Sequence, residues 1–163
     1  IKRMELFGLE LSKEKTRILP FGRKCDTRET FDFLGFTHYN SKTRKGYYTL
    51  GHKISRKKKK QFKSNLKKWV KENRNTQFDE FMKALNKKLT GSFNYYSLSG
   101  MIREVRNLWH HSLYVTFKWI NRRSQRRSFK LERFCEIWND RIIHPYIHVD
   151  IWSGDKVIYN KNV

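Results

Sequence analysis

Apolar positions recur with a helical period from Ser55 onward, and with a strand-like or irregular pattern before it. Within Ser55–Asn73, Phe62, Leu66, Trp69 and Val70 fall at i, i+4, i+7 and i+8, one stripe of an α-helix. Thr76, followed three residues later by Asp79, resembles an N-cap. It opens a second helix with Phe78, Phe81, Met82, Leu85 and Leu89 inward, expected to end near Gly91. A third helix is expected over about Ser99–Arg123, with Ile102, Val105, Trp109, Ser112, Thr116, Phe117 and Ile120 on one face. Ser128 is placed to cap a fourth, with Leu131, Phe134, Cys135, Trp138 and Ile142 inward, stopping before Pro145. Each stripe is ordinary core material.

Residues 1–54 read as strand and turn. Thr16–Leu19 is a short β-compatible run stopped by Pro20 and Gly22. Phe31–Tyr39 reads as a strand rich in aromatic residues, with Gly35 inside it marking a bulge or a close approach. Asn40–Lys45 is a polar turn and Gly46–Leu50 a return strand, together a β-hairpin. Alternation at Ile147, Val149, Ile151, Val157 and Tyr159 suggests a small edge hairpin in the tail. The expected class is α+β: a small N-terminal β-hairpin region (1–54), a helical bundle (55–143) and a C-terminal tail (144–163).

Charge changes this picture from a generic fold to a partner class. The 163 residues carry 37 Lys+Arg against 15 Asp+Glu, a formal net charge of +22. Like charges at that density repel one another in a compact chain, and a polyanion relieves the repulsion. The excess is concentrated. No acid lies between Asp32 and Glu72, while Lys42, Arg44, Lys45, Lys53, Arg56, Lys57, Lys58, Lys59, Lys60, Lys63, Lys67, Lys68 and Lys71 do. A second acid-free window, Val105 to Leu131, holds Arg106, Lys118, Arg122, Arg123, Arg126, Arg127 and Lys130. On the first helix, Lys60, Lys63, Lys67 and Lys71 form a ridge away from the apolar stripe. A charge run is usually a solvated face, but this one has no acidic i,i+4 partners, which favours contact with phosphates. Aromatics interleaved with the cations, Phe93, Tyr95, Tyr96, Trp109, Trp119 and Trp138 among them, are stacking candidates as well as core candidates.

Other classes find little support. The apolar stretches fall short of the roughly 18 residues of a membrane span; an anionic membrane surface is the weaker alternative to nucleic acid for the basic charge, and no membrane is expected as a partner. Cys25 and Cys135 form no C-x-x-C pair, which argues against a zinc ribbon or disulfide framework and suits a reducing compartment, the cytoplasm, bound to nucleoid or ribonucleoprotein. The expected catalytic and metal-binding residues are none. Paired carboxylates suited to cations are lacking, and Asp79–Glu80 at a helix start is better explained by the macrodipole. His110 and His111 point in different directions, and Pro145 spoils the register of His144 and His148. An HNH-like nuclease would need flanking features that are missing.

Four stretches, read in order, resemble the C-terminal part of a group II intron-encoded reverse transcriptase, or maturase. Gly8-Leu9-Glu10-Leu11-Ser12-Lys13-Glu14-Lys15-Thr16 is similar to that family's sixth polymerase block, and Phe33-Leu34-Gly35-Phe36 to the seventh, the primer grip. Leu89-Thr90-Gly91-Ser92-Phe93-Asn94-Tyr95-Tyr96 resembles the Gly-Trp-x-Asn-Tyr-Tyr signature of the maturase-specific region, with Ser92-Phe93 departing from the family's Trp. Trp119-Ile120-Asn121-Arg122-Arg123 resembles that region's Trp-x-x-Arg-Arg element.

The resemblance implies that residues 1–54 are the distal palm and 55–143 the thumb, or maturase X domain. Phe33, Leu34 and Gly35 would position a primer. Arg56, Lys57, Lys60, Lys63, Lys67, Lys71, Tyr95 and Tyr96, with Arg122, Arg123, Arg126 and Arg127 as a second site, would contact nucleic acid. The implied partners are intron or template RNA, RNA–DNA duplex and a second chain carrying the rest of the polymerase. No cofactor is expected on this chain itself. Mg²⁺ and the catalytic aspartates belong to blocks expected upstream of Ile1, so the chain alone is expected to be inactive. A stand-alone basic RNA-binding protein is the rival reading, and the HNH-like nuclease a third.

Overall fold

The structure, a computed structural model, describes residues 2–147 except 11, 13–15, 17, 26, 124 and 127. Arg127, His148, Leu11 and Lys13–Lys15 of the sixth block, and every position of the proposed edge hairpin after Ile147 lie outside the described residues. In chain order the elements are α1 (Lys2–Glu5), β1 (Thr30–Phe33), β2 (Phe36–Lys42), β3 (Tyr48–Ile54), α2 (Arg56–Asn73), α3 (Phe78–Tyr96), α4 (Ile102–Ile120) and α5 (Leu131–Arg141). This is the α+β arrangement expected: a three-stranded sheet in the order β1-β2-β3, then four long helices. The short connections, 34–35 and 43–47, allow only antiparallel pairing.

The sheet corrects the strand reading at three places. Gly35 is not a bulge within one strand; with Leu34 it is the turn that divides Phe31–Tyr39 into β1 and β2. The second turn lies at 43–47, so Asn40 belongs to β2. Thr16, Ile18 and Leu19 are irregular rather than strand, and Lys2–Glu5 forms one helical turn.

The chain divides into two compact units, and the division passes through the sheet. In the unit made of Ile1–Phe31 and His38–Gly51, Asn40 is the tie. Its Oδ1 accepts from Gly22 N (3.3 Å) and Tyr48 OH (3.2 Å), and its Nδ2 donates to the carbonyls of Cys25 (3.4 Å) and Thr27 (3.3 Å). Phe31 lies between Phe21 and His38, with ring centroids 5.0 and 4.9 Å away. Tyr39 crosses over Gly51 so closely that a Cβ there would sit 2.5 Å from the ring, which requires glycine.

The other unit, Asp32–Thr37 with His52–Val163, contains the helical core. Leu66 and Val70 of α2, Phe81, Met82, Leu85, Leu89, Phe93 and Tyr96 of α3, Val105, Leu108, Trp109 and Ile120 of α4, and Phe134 and Trp138 of α5 are buried together. Helix α2 packs on α4, and α5 packs on α3 and α4. Beyond α5, Ile143 is fixed from both sides: its N–H donates to Asn86 Oδ1 (2.9 Å) and its carbonyl accepts from Trp109 Nε1 (3.1 Å).

Several boundaries differ from the sequence reading. Helix α3 starts at Phe78 behind Gln77 with no side-chain cap, and it passes through Gly91 to Tyr96. Leu89, Phe93 and Tyr96 continue the buried register, and burying two more aromatic rings outweighs the roughly 1 kcal/mol that a mid-helix glycine costs. Helix α5 starts behind Lys130, not under a Ser128 cap, and Leu131 is 49% exposed while Cys135 is half-buried. Since Gly91 is exposed, has a helical backbone and offers open space to a Cβ, Gly91→Ala should stabilise the protein by about 0.5–1 kcal/mol. A raised urea midpoint with an unchanged m-value is the expected reading.

Candidate nucleic-acid interface

Helix α2 builds the basic face. Ser55 caps it, its hydroxyl accepting from Lys58 N at 3.4 Å, and Leu66 and Val70 fix the inward side. With that side buried, Arg56, Lys57, Lys60, Lys63, Lys67 and Lys71 are all exposed. The first turn holds no acid, so its cations oppose the positive end of the helix dipole rather than complement it. Lys59 turns away from this face and pairs with Glu104 at the start of α4. The single carboxylate on α2, Glu72, stands 4.0 Å from Lys68.

The far end of the ridge meets the second basic window. Lys71 Nζ lies 4.8 Å from the centre of the Trp119 ring, and the guanidiniums of Arg122 and Arg74 lie 5.2 and 5.6 Å from it. Asn121 closes the following loop in both directions: Oδ1 accepts from Phe129 N (2.8 Å) and Nδ2 donates to Phe129 O (3.1 Å). Arg123 is half-buried, with Nε and Nη2 sheltered and without a hydrogen-bond partner among the described residues. Burial lowers its pKa. Arg126 is exposed. Arg122, Lys118, Lys130, Asn121 and Glu132 line an open cleft of about 640 Å³ between α4 and α5.

A third feature is the turn at 33–35. Leu34 (φ 48°) and Gly35 (φ 84°) both have positive φ, the pattern of a type I′ hairpin turn that ordinarily takes Asn-Gly. Leu34 in this conformation is strained. The turn is held against the helices: Tyr95 OH donates to Leu34 O (2.5 Å), and Ser55 N donates to Gly35 O (2.9 Å). A Cβ on Gly35 would come within 3.3 Å of Lys58 Cγ. Phe36 stacks on Tyr95 and meets Tyr96 edge-on, each at 5.6 Å. This leaves Phe33 and Leu34 60% and 68% exposed, an apolar pair at the tip.

Residues 59–135, from the first turn of α2 into α5, match the family model described as Group II intron, maturase-specific domain. The chain carries a group II intron maturase-specific domain. No curated protein and no solved structure matches it. The family match bears out the sequence resemblance over this segment, the C-terminal maturase part of a group II intron maturase. The first three strands lie outside the matched residues.

Within the maturase-specific domain the candidate residues fall into two kinds. The α2 cations, Arg122, Arg126 and Tyr95 (51% exposed) are presented to solvent. Tyr96 is not: only 9% of it is accessible, and its ring is wedged between Phe36 and Tyr95. It belongs to the core, and burial raises its pKa. Arg74 escaped the sequence reading because it sits just past the helix end, outside the i,i+4 ridge. Of the candidate histidines, His110 meets Trp109 edge-on and His144 stacks on the same ring at 5.2 Å. Among the described residues no group of three or more His, Cys, Asp and Glu could hold a metal, and no helix is long and apolar enough to cross a membrane.

Two measurements test this geometry. Leu34→Asn should relieve the strained turn and raise stability by about 0.5–1 kcal/mol in urea unfolding. His111 is half-buried, and desolvation, with Lys63 nearby, lowers its pKa below the ordinary 6.5. Above 6.5 the imidazole is neutral folded or unfolded; as pH falls below it the unfolded chain binds the proton first. Stability is therefore lost on acidification through the histidine range, and His111→Gln should make the decline in urea midpoint shallower.

Proposed function

We propose that this chain grips RNA for a group II intron-encoded reverse transcriptase, acting on intron RNA during splicing and on template–primer duplex during reverse transcription. The observation that carries this reading is the solvent-facing, nearly acid-free face of α2 within the maturase-specific domain. A-form helices offer proteins phosphates and 2′-hydroxyls more readily than base edges. A row of ammonium groups on one rigid helix suits that surface and requires no sequence code. In the same reading the exposed Phe33–Leu34 tip positions a primer, with Tyr95 holding the turn by its backbone. The rest of the polymerase, with its carboxylates and Mg²⁺, would be supplied by residues or a chain other than these.

A stand-alone basic RNA-binding protein would use the same face, but leaves the strained apolar tip without a task. The two readings part on whether a primed template binds better than single-stranded RNA of the same length, and whether Leu34→Asn abolishes that preference.

Reversing charge at Lys60→Glu and Lys63→Glu should weaken binding to RNAs of unrelated sequence to a similar extent. The slope of log K against log[salt] should flatten by about one to two. A double variant with the parental slope would overturn the assignment of this ridge to phosphate contact.

A further inference from the structure

The sequence divides the cations into two windows, but the fold brings members of both to one indole. Lys71 from the end of α2, Arg74 just beyond it and Arg122 after α4 all lie within 5.6 Å of the Trp119 ring centre. No two of these ring contacts can then be more than about 11 Å apart, against a Debye length of about 8 Å at physiological salt. Their mutual repulsion is unrelieved inside the protein. The ion pairs of the described residues are Lys59–Glu104, Lys68–Glu72, Arg133–Glu136 and Arg141–Asp79, and they use none of the three. The nearby acids are Glu72, beside Lys68, and Glu132, in the cleft it shares with Arg122, Lys118 and Lys130.

The surroundings favour a phosphate over a base as occupant. Cations lie over the Trp119 ring, where a base would have to stack. The side-chain amide of Asn121, two residues on, holds the Phe129 backbone with both its oxygen and its nitrogen. Next to it, Arg123 keeps two sheltered guanidinium nitrogens without a partner among the described residues.

We infer that Lys71, Arg74 and Arg122, organised around Trp119, form one composite phosphate site at which RNA backbone passes from the α2 ridge to the segment after α4. The inference rests on the RNA-gripping reading and adds that the two basic windows bind one strand jointly. Trp119 is a positioning residue: it gathers the cations without itself touching a base.

The test is a double-mutant cycle with the full chain. Binding of a mixed-sequence, single-stranded RNA 20-mer is measured at several salt concentrations for the parent, Lys71→Ala, Arg122→Ala and both together. Each single variant should lower the salt slope by about 0.7, the value for one phosphate on a single strand. Because both cations serve one site, the loss in the double variant should fall short of the product of the two single losses by more than about twofold. Losses that multiply within about twofold would mark independent sites and overturn the inference. Trp119→Phe should keep binding, and Trp119→Leu should weaken it equally for RNA and for inorganic polyphosphate, which has no bases. Weakening for RNA alone would make Trp119 a stacking platform and overturn its positioning role. Should Trp119→Leu not fold, the lysine–arginine cycle still decides, since both residues are exposed. A parent that fails to bind RNA would overturn the RNA-gripping reading along with this one. A parent that binds and responds to Lys60→Glu with Lys63→Glu, but shows multiplicative losses here, would overturn the composite site alone.

Discussion

The constraint on which the helical unit depends is the crowding of like charge on α2. Over 18 residues the helix carries nine cations and one carboxylate. The i,i+4 pairs Arg56–Lys60, Lys59–Lys63, Lys63–Lys67 and Lys67–Lys71 are all repulsive, together costing about 1–2 kcal/mol, with the dipole at the N-terminus adding to it. Alone, such a segment would not be helical in water. Burying Leu66 and Val70, at about 1.5–3 kcal/mol each, more than offsets the repulsion, and half-buried Phe62 and Trp69 add to it. The basic face is thus rigid because of α4 and the core beneath it, and its electrostatic cost is recovered only when counterions or a polyanion gather there.

That dependence explains the arrangement around Trp119. Helix α2 packs against α4, so their ends are carried to the same place, and Lys71 and Arg122, far apart in sequence, share one aromatic ring. Asn121 then closes the loop to Phe129 with both halves of its amide, keeping the chain after α4 beside the end of α2 rather than letting it swing away. The maturase-specific segment of this chain is therefore carried by a four-helix scaffold whose first helix is its most charged.

At the other end of the same helix, the 33–35 turn is assembled from parts distant in sequence. Its two carbonyls are held by Tyr95 and by the backbone of Ser55, and Phe36 packs against both Tyr95 and Tyr96. These contacts maintain a leucine in a left-handed conformation and leave its side chain in solvent. A strained, exposed apolar residue fixed from behind is what a purely structural hairpin would avoid.

Local pattern alone already set the class of the fold, the four helices and most of their inward residues, though not the exposed Leu131, and the sign and placement of the charge. These follow from local rules: a 3.6-residue period and a count of acids and bases. The ordered motifs of the sequence also identified the family of the helical part. Tertiary structure decided what local rules do not contain. Gly91 stays helical because Phe93 and Tyr96 find a core to enter, and Tyr96 is buried although its neighbour Tyr95 is exposed. The Phe31–Tyr39 segment folds back at Leu34–Gly35 because the helices supply donors for the turn. Lys71 and Arg122, from the two basic windows, meet at Trp119 because packing, which acts between residues far apart in the chain, sets where helix ends meet.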